Sequence, residues 1–185
     1  VCAALLVLVA CSARGGSSSG EPSDKPPAVA PRTTRDQVER ARPGVDVSPL
    51  EIAVPGVDLF GLSSKPGKDA PVVYDKEYAP TVVAVAGGVG HPILAGRDVT
   101  RAAIAATKDP VVLARVAMAA EGRSGELLLA LKNDDQRQRH VGPPEIEGDT
   151  LTFWIWTSGV GRMLEFISVD LTTGALALAT PPSVQ

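Results

Sequence analysis

The chain is poor in most of the side chains that reactive chemistry is built from. Its 185 residues include two cysteines, two histidines (His91 and His140), two tryptophans, two tyrosines and three phenylalanines. Metal sites need His, Cys, Asp or Glu at set spacings such as His-Glu-x-x-His, and none occurs, so no metal and no cofactor is expected. Asn133-Asp134-Asp135 has carboxylates but lacks the alternation and the glycine of a calcium loop. Gly122-Arg123-Ser124-Gly125 and Ser158-Gly159 both miss the Gly-x-Ser-x-Gly elbow of serine hydrolases. Gly87-Gly88-Val89-Gly90-His91-Pro92 follows an apolar run like a phosphate loop. Ile93, however, holds the place of the last glycine of the dinucleotide fingerprint, and no Gly-Lys-Ser/Thr follows. That segment reads as a turn with positive backbone dihedrals.

Charge of one sign is lacking as well. Eighteen basic residues stand against 21 acidic ones, a net charge of -3, which removes the electrostatic case for a nucleic-acid partner. No apolar run reaches the roughly 20 residues of a membrane-spanning helix. No unit repeats with a period of about 20–50 residues, which excludes solenoids and propellers. No catalytic site is expected from any of these patterns. The enzymatic alternative is an envelope hydrolase assembled from dispersed carboxylates, such as Glu145 and Glu147, together with His91.

What is present begins at the first residue. Val1 to Ala10 is uncharged and almost wholly apolar, and Cys11 follows. The stretch is too short for a bilayer span but suits the hydrophobic region of a signal peptide. Leu8-Val9-Ala10-Cys11 resembles the lipobox of bacterial lipoproteins: an aliphatic residue, a tolerant position, a small residue, then cysteine. The resemblance implies that the Cys11 thiol carries diacylglycerol, that the chain is cut before it, and that the new amino group is acylated. It also implies a cell-envelope location with the membrane as partner. Ser12 after the cysteine favours the periplasmic face of the outer membrane over the inner membrane by the same resemblance. A signal peptide opens on positive charge, and no Lys or Arg precedes Arg14, so the true start is expected upstream of Val1.

Cys2 then leaves with the signal and Cys11 carries lipid. A mature chain of that kind has no thiol and no disulfide and depends on its core alone. The expected organisation is a signal peptide over residues 1–10, a lipidated, disordered Ser/Gly/Pro-rich tether over 11–49, and one globular domain over 50–185. Within the tether, Thr34 and Gln37 fit a capping box for a short helix to Ala41, which Pro43-Gly44 would stop.

The domain reads as α+β. Leu50–Val54, Val57–Leu62, Val72–Tyr74 and Thr81–Ala86 are predicted strands. Asp98 is placed as the cap of a helix to Thr107, and Asp109-Pro110 as the start of a second helix to Glu121. The second helix is apolar almost all round, so it should be buried, with its alanines lying close to a sheet. Glu126–Leu131 and then Glu145–Glu147, Thr150–Thr157, Arg162–Asp170 and Ala175–Leu178 complete a C-terminal antiparallel meander.

Four of the seven aromatic residues, Phe153, Trp154, Trp156 and Phe166, fall in one hairpin of that meander. If Thr157 pairs with Arg162, Phe153 faces Phe166 and Ile155 faces Leu164. Trp154, Trp156, Met163 and Ile167 then share the opposite face. Both faces are apolar, so either each is covered or the tryptophan face is an exposed patch for a partner. The functional expectation is a lipid-anchored envelope protein whose domain is a non-catalytic interaction module, with Trp154, Trp156, Met163 and Ile167 as the contact and an envelope protein or cell-wall component as its partner. A passive structural subunit of an envelope complex is the alternative.

Overall fold

The computed structural model describes residues 30–64, 81–129, 141–157 and 163–181. The folded unit runs from Pro31 to the C-terminal end. In chain order it has α1 (Thr34–Ala41), β1 (Val45–Pro49), β2 (Val57–Ser64), β3 (Thr81–Ala86) and β4 (Ile93–Ala95). Two helices follow, α2 (Arg97–Ala106) and α3 (Pro110–Ala120). Then come β5 (Glu126–Leu127), β6 (Glu145–Glu147), β7 (Thr150–Thr157), β8 (Met163–Asp170) and β9 (Leu176–Leu178). The fold is α+β, with two antiparallel sheets in the order β1-β2-β3-β4 and β5-β7-β8-β9, β6 also pairing with β7.

The helical pair joins the two sheets through one core. From the first sheet, Val57, Leu59, Val82 and Ala84 enter it. From the second sheet come Leu151, Phe153, Ile155, Ile167 and Val169, and between them lie Val99 and Ala103 of α2 and Leu113, Ala114, Val116, Ala117 and Met118 of α3. The five buried positions of α3 match its nearly all-round apolarity, and its small alanines permit the close approach. Asp109 caps α3 as expected, accepting from the backbone N–H of Val111 (2.9 Å) and Val112 (3.1 Å), with Pro110 at the first helical position.

Several local expectations shift. The stretch read as tether is folded from Thr34 onward: α1 and β1 lie inside the boundary placed at Leu50, and β1 is fully paired with β2 from Val45↔Ser64 to Pro49↔Phe60. Composition hid this because β1 offers the core a single buried side chain, Val47. The cap of α1 is Thr33, whose hydroxyl accepts from the Asp36 N–H, and not Thr34. Asp98 sits in the first turn of α2 behind Gly96, which has no capping side chain. Of the predicted strand Leu50–Val54 only a single bridge, Val54↔Val57, forms. Val72–Tyr74 lies outside the described residues.

Inside α2, the side chain of Thr100 is 1% exposed and its hydroxyl has no hydrogen-bond partner among the described residues. A buried hydroxyl without a partner costs about 1–3 kcal/mol. Thr100→Val keeps the shape and removes the polar atom, so it is expected to raise stability by about 1 kcal/mol, read as a higher urea midpoint with unchanged m-value.

Candidate functional site

The aromatic hairpin is where sequence reasoning placed the site, and its register decides what that site can be. Thr157 pairs with Met163, one residue along from the expected Arg162, so Phe153 faces Ile167, Trp154 faces Phe166, Ile155 faces Glu165 and Trp156 faces Leu164. A slip of one residue exchanges the faces of an entire strand. Ile167 is therefore fully buried in the main core, and Met163, 61% exposed, stands at the end of the helix-facing side. Trp154, Trp156, Met163 and Ile167 do not form one patch. Residues 158–162, between the two strands, lie outside the described residues.

The opposite face carries Trp154, Trp156, Leu164 and Phe166, and it is partly covered. Trp154 is only 3% exposed and forms a second core with Leu128 and Val141. Its ring lies 4.7 Å from that of Phe166, tilted by 41°, an arrangement that aromatic quadrupoles favour. The Leu128 N–H donates to the Trp154 carbonyl at 3.0 Å, which holds the covering segment in place. Trp156, Leu164 and Phe166 are half-buried, so this face keeps an open apolar rim. Among the described residues, the cover comes from Leu128 and Val141, in the chain between α3 and β6.

Beside this core, β6 opens a groove of about 350 Å³ lined by Glu145, Glu147, Thr152, Trp154, Phe166 and Thr180, among others. Glu145 and Glu147 are exposed and alternate on β6, opposite Thr152 and Thr150, so both carboxylates border one side of the groove. A second, larger depression of about 610 Å³ lies between the start of α1 and β2. Leu50, Ile52 and Val54 line its apolar part, and Thr34 donates to Asp58 at 2.8 Å at its edge.

The glycine-rich turn is structural. The backbone N–H of Gly90 donates to Oε1 of Gln37 at 2.8 Å, and Nε2 of the same side chain donates to the His91 carbonyl at 2.5 Å. The imidazole of His91 lies over Gly87, where an added Cβ would stand 3.0 Å from the ring. Gly87, Gly88 and Gly90 all have positive φ, as the turn reading requires. Gln37 thus binds this turn to α1 instead of completing a capping box. His140 and Asn133–Asp135 lie outside the described residues. Among the described residues no three His, Cys, Asp or Glu side chains gather as a metal site, and no helix is long and apolar enough to cross a membrane.

Two polar features escaped sequence reasoning. Glu165, on the helix-facing side of β8, is paired with Arg123 at 2.9 Å, both side chains being partly buried. Nothing in the local pattern signals an ion pair between residues so far apart in the chain. Asp170 closes the β8–β9 turn by accepting from the Thr172 hydroxyl (2.6 Å), the Thr172 N–H (2.7 Å) and the Thr173 N–H (3.1 Å). These bonds, led by that from the Thr172 hydroxyl, lower its pKa to about 2 from 3.8. The folded form prefers the carboxylate. Its contribution is therefore complete above pH 3.8 and fades as pH falls toward 2. Asp170→Asn is expected to destabilise the turn at neutral pH and to make little difference near pH 2, a convergence that parallel denaturation curves would show.

Compared with known protein families, with curated proteins and with solved structures, the chain matches none.

Proposed function

We propose that this chain is a lipid-anchored bacterial cell-envelope protein whose folded unit acts as a non-catalytic interaction module. The observation that carries this reading is the sequence Leu8-Val9-Ala10-Cys11, with the composition that follows it: Ser12-Ala13-Arg14-Gly15-Gly16-Ser17-Ser18-Ser19-Gly20 leads toward a folded unit that starts at Pro31. In this reading Cys11 carries the lipid, the segment up to Ala30 spaces the domain from the bilayer, and two or more acyl chains give stable attachment. Ser12 favours the periplasmic face of the outer membrane. The surface offered for contact is the open rim formed by Trp156, Leu164 and Phe166, with Trp154 as its buried support. An envelope protein or a cell-wall component is the partner class that fits an anchored domain with this apolar rim.

Expression in a bacterial host under the chain's own signal, with labelled palmitate, tests the anchor. The parent protein is expected in the membrane pellet with label. Cys11→Ser should lose the label and move to the soluble fraction or stay as unprocessed precursor. A Cys11→Ser protein that keeps both the label and the membrane location would overturn the reading.

A further inference from the structure

The first helix is attached to the fold differently from the other two. α3 buries five side chains and α2 buries three, whereas α1 buries one, Val38. Beneath α1, Val38 packs with Val47, Phe60, Leu62, Val83 and Val85 on the face of the first sheet turned away from the helical pair. Its polar attachments include three that lie near water: the two bonds of the Gln37 amide to Gly90 and His91, and the Thr34–Asp58 bond. An eight-residue helix is below the length of about 12–15 residues at which isolated helices become even marginally stable in water. Off the sheet, α1 has little to keep it helical. The sheet below has its own β1–β2–β3–β4 pairing, and the core on its other face includes no residue of α1.

We infer that α1 is a strap that opens as a separate unit, lifting from the first sheet and uncovering Phe60, Val83 and Val85 while both sheets and the helical pair stay folded. Elements with few buried apolar contacts and solvent-facing hydrogen bonds lie at the low end of a protein's range of opening free energies. One side chain decides the coupling. When the strap is closed, Gln37 holds both a donor and an acceptor of the turn between β3 and β4; when it opens, that turn loses both. Opening of the strap is thereby transmitted to the Gly87–Pro92 turn and to an otherwise covered apolar face. The inference concerns the folded unit alone and holds or fails independently of lipid attachment at Cys11.

Thiol labelling in the full chain tests it. Val83→Cys places a probe under the strap, at a position with no exposure, and Val116→Cys places one in the main core at 1% exposure. Labelled peptides are separated by mass from those of Cys2 and Cys11. The Val83→Cys thiol is expected to react at least about a hundredfold faster than the Val116→Cys thiol, because it needs only strap opening. Adding Gln37→Ala removes two hydrogen bonds and should accelerate Val83→Cys labelling by about tenfold to thirtyfold while leaving Val116→Cys unchanged. Equal rates at the two positions, or a Gln37→Ala effect of the same size on both, would mean that α1 opens only with the whole fold and would overturn the proposal. Should Val83→Cys disturb the sheet, amide exchange decides. The N–H groups of Gln37 and Arg42, which bond within α1, must then exchange well ahead of those of Leu113 and Glu121 in α3, and faster still in Gln37→Ala.

Discussion

Trp154→Ala is expected to lower the stability of the folded unit by about 3–5 kcal/mol, among the largest losses available to a single substitution. The indole is 3% exposed, contacts the Phe166 ring and fills the space below Leu128 and Val141. Truncation would leave a cavity on the side of the second sheet turned away from α3, so α3 cannot move to close it. In a folded unit of this size each kcal/mol shifts the melting midpoint by roughly 2–4 °C, so the loss should appear as a fall of about 6–20 °C. Trp156→Ala provides the contrast. That ring is already half-open to water, and its loss should cost about 1–2 kcal/mol. Equal, small losses at both positions would show the second core to be unpacked.

Gly174→Ala is expected to cost about 2–4 kcal/mol, although it adds a single methyl group. Two causes act together. The residue holds φ at +70°, a region L side chains avoid, and an added Cβ would meet Cγ of Arg101 at 2.9 Å and the carbonyl oxygen of Arg97 at 3.0 Å. The second obstacle is helix backbone and cannot swing aside. Gly174 is the point at which the β8–β9 turn rests on α2, its N–H donating to the Asp170 carbonyl at 2.8 Å. Gly88→Ala separates the causes: φ there is +93° but nothing lies within 4 Å, so only the backbone term, about 1–2 kcal/mol, should appear. If the two substitutions shift the urea midpoint equally, the close approach to α2 contributes nothing.

The parts of this fold that were legible in the sequence are those with a local cause. Asp109-Pro110 announces α3 because capping and the fixed proline φ act within four residues. Glu145–Glu147 and Thr150–Thr157 are legible because Gly148-Asp149 turns the chain between two runs. The hairpin register was not legible, since both faces of the hairpin are apolar and alternation does not choose between Met163 and Arg162 as the partner of Thr157. That single residue moved Ile167 from the tryptophan face into the main core and put Phe166 against Trp154. α1 and β1 were misassigned for a related reason. Each contributes one buried apolar residue, Val38 and Val47, so composition alone cannot distinguish them from a solvated tether.

The order of elements along the chain has a further consequence. The first sheet is made entirely of residues before α2, and the second entirely of residues after α3, so each is a contiguous piece of the sequence. Neither piece can bury its inner face alone, because the helical pair between them supplies part of the surface that both require. A break in the short loop Glu121–Gly125 would therefore yield two complementary fragments, each incomplete separately, able to regain the fold by reassociating across α3.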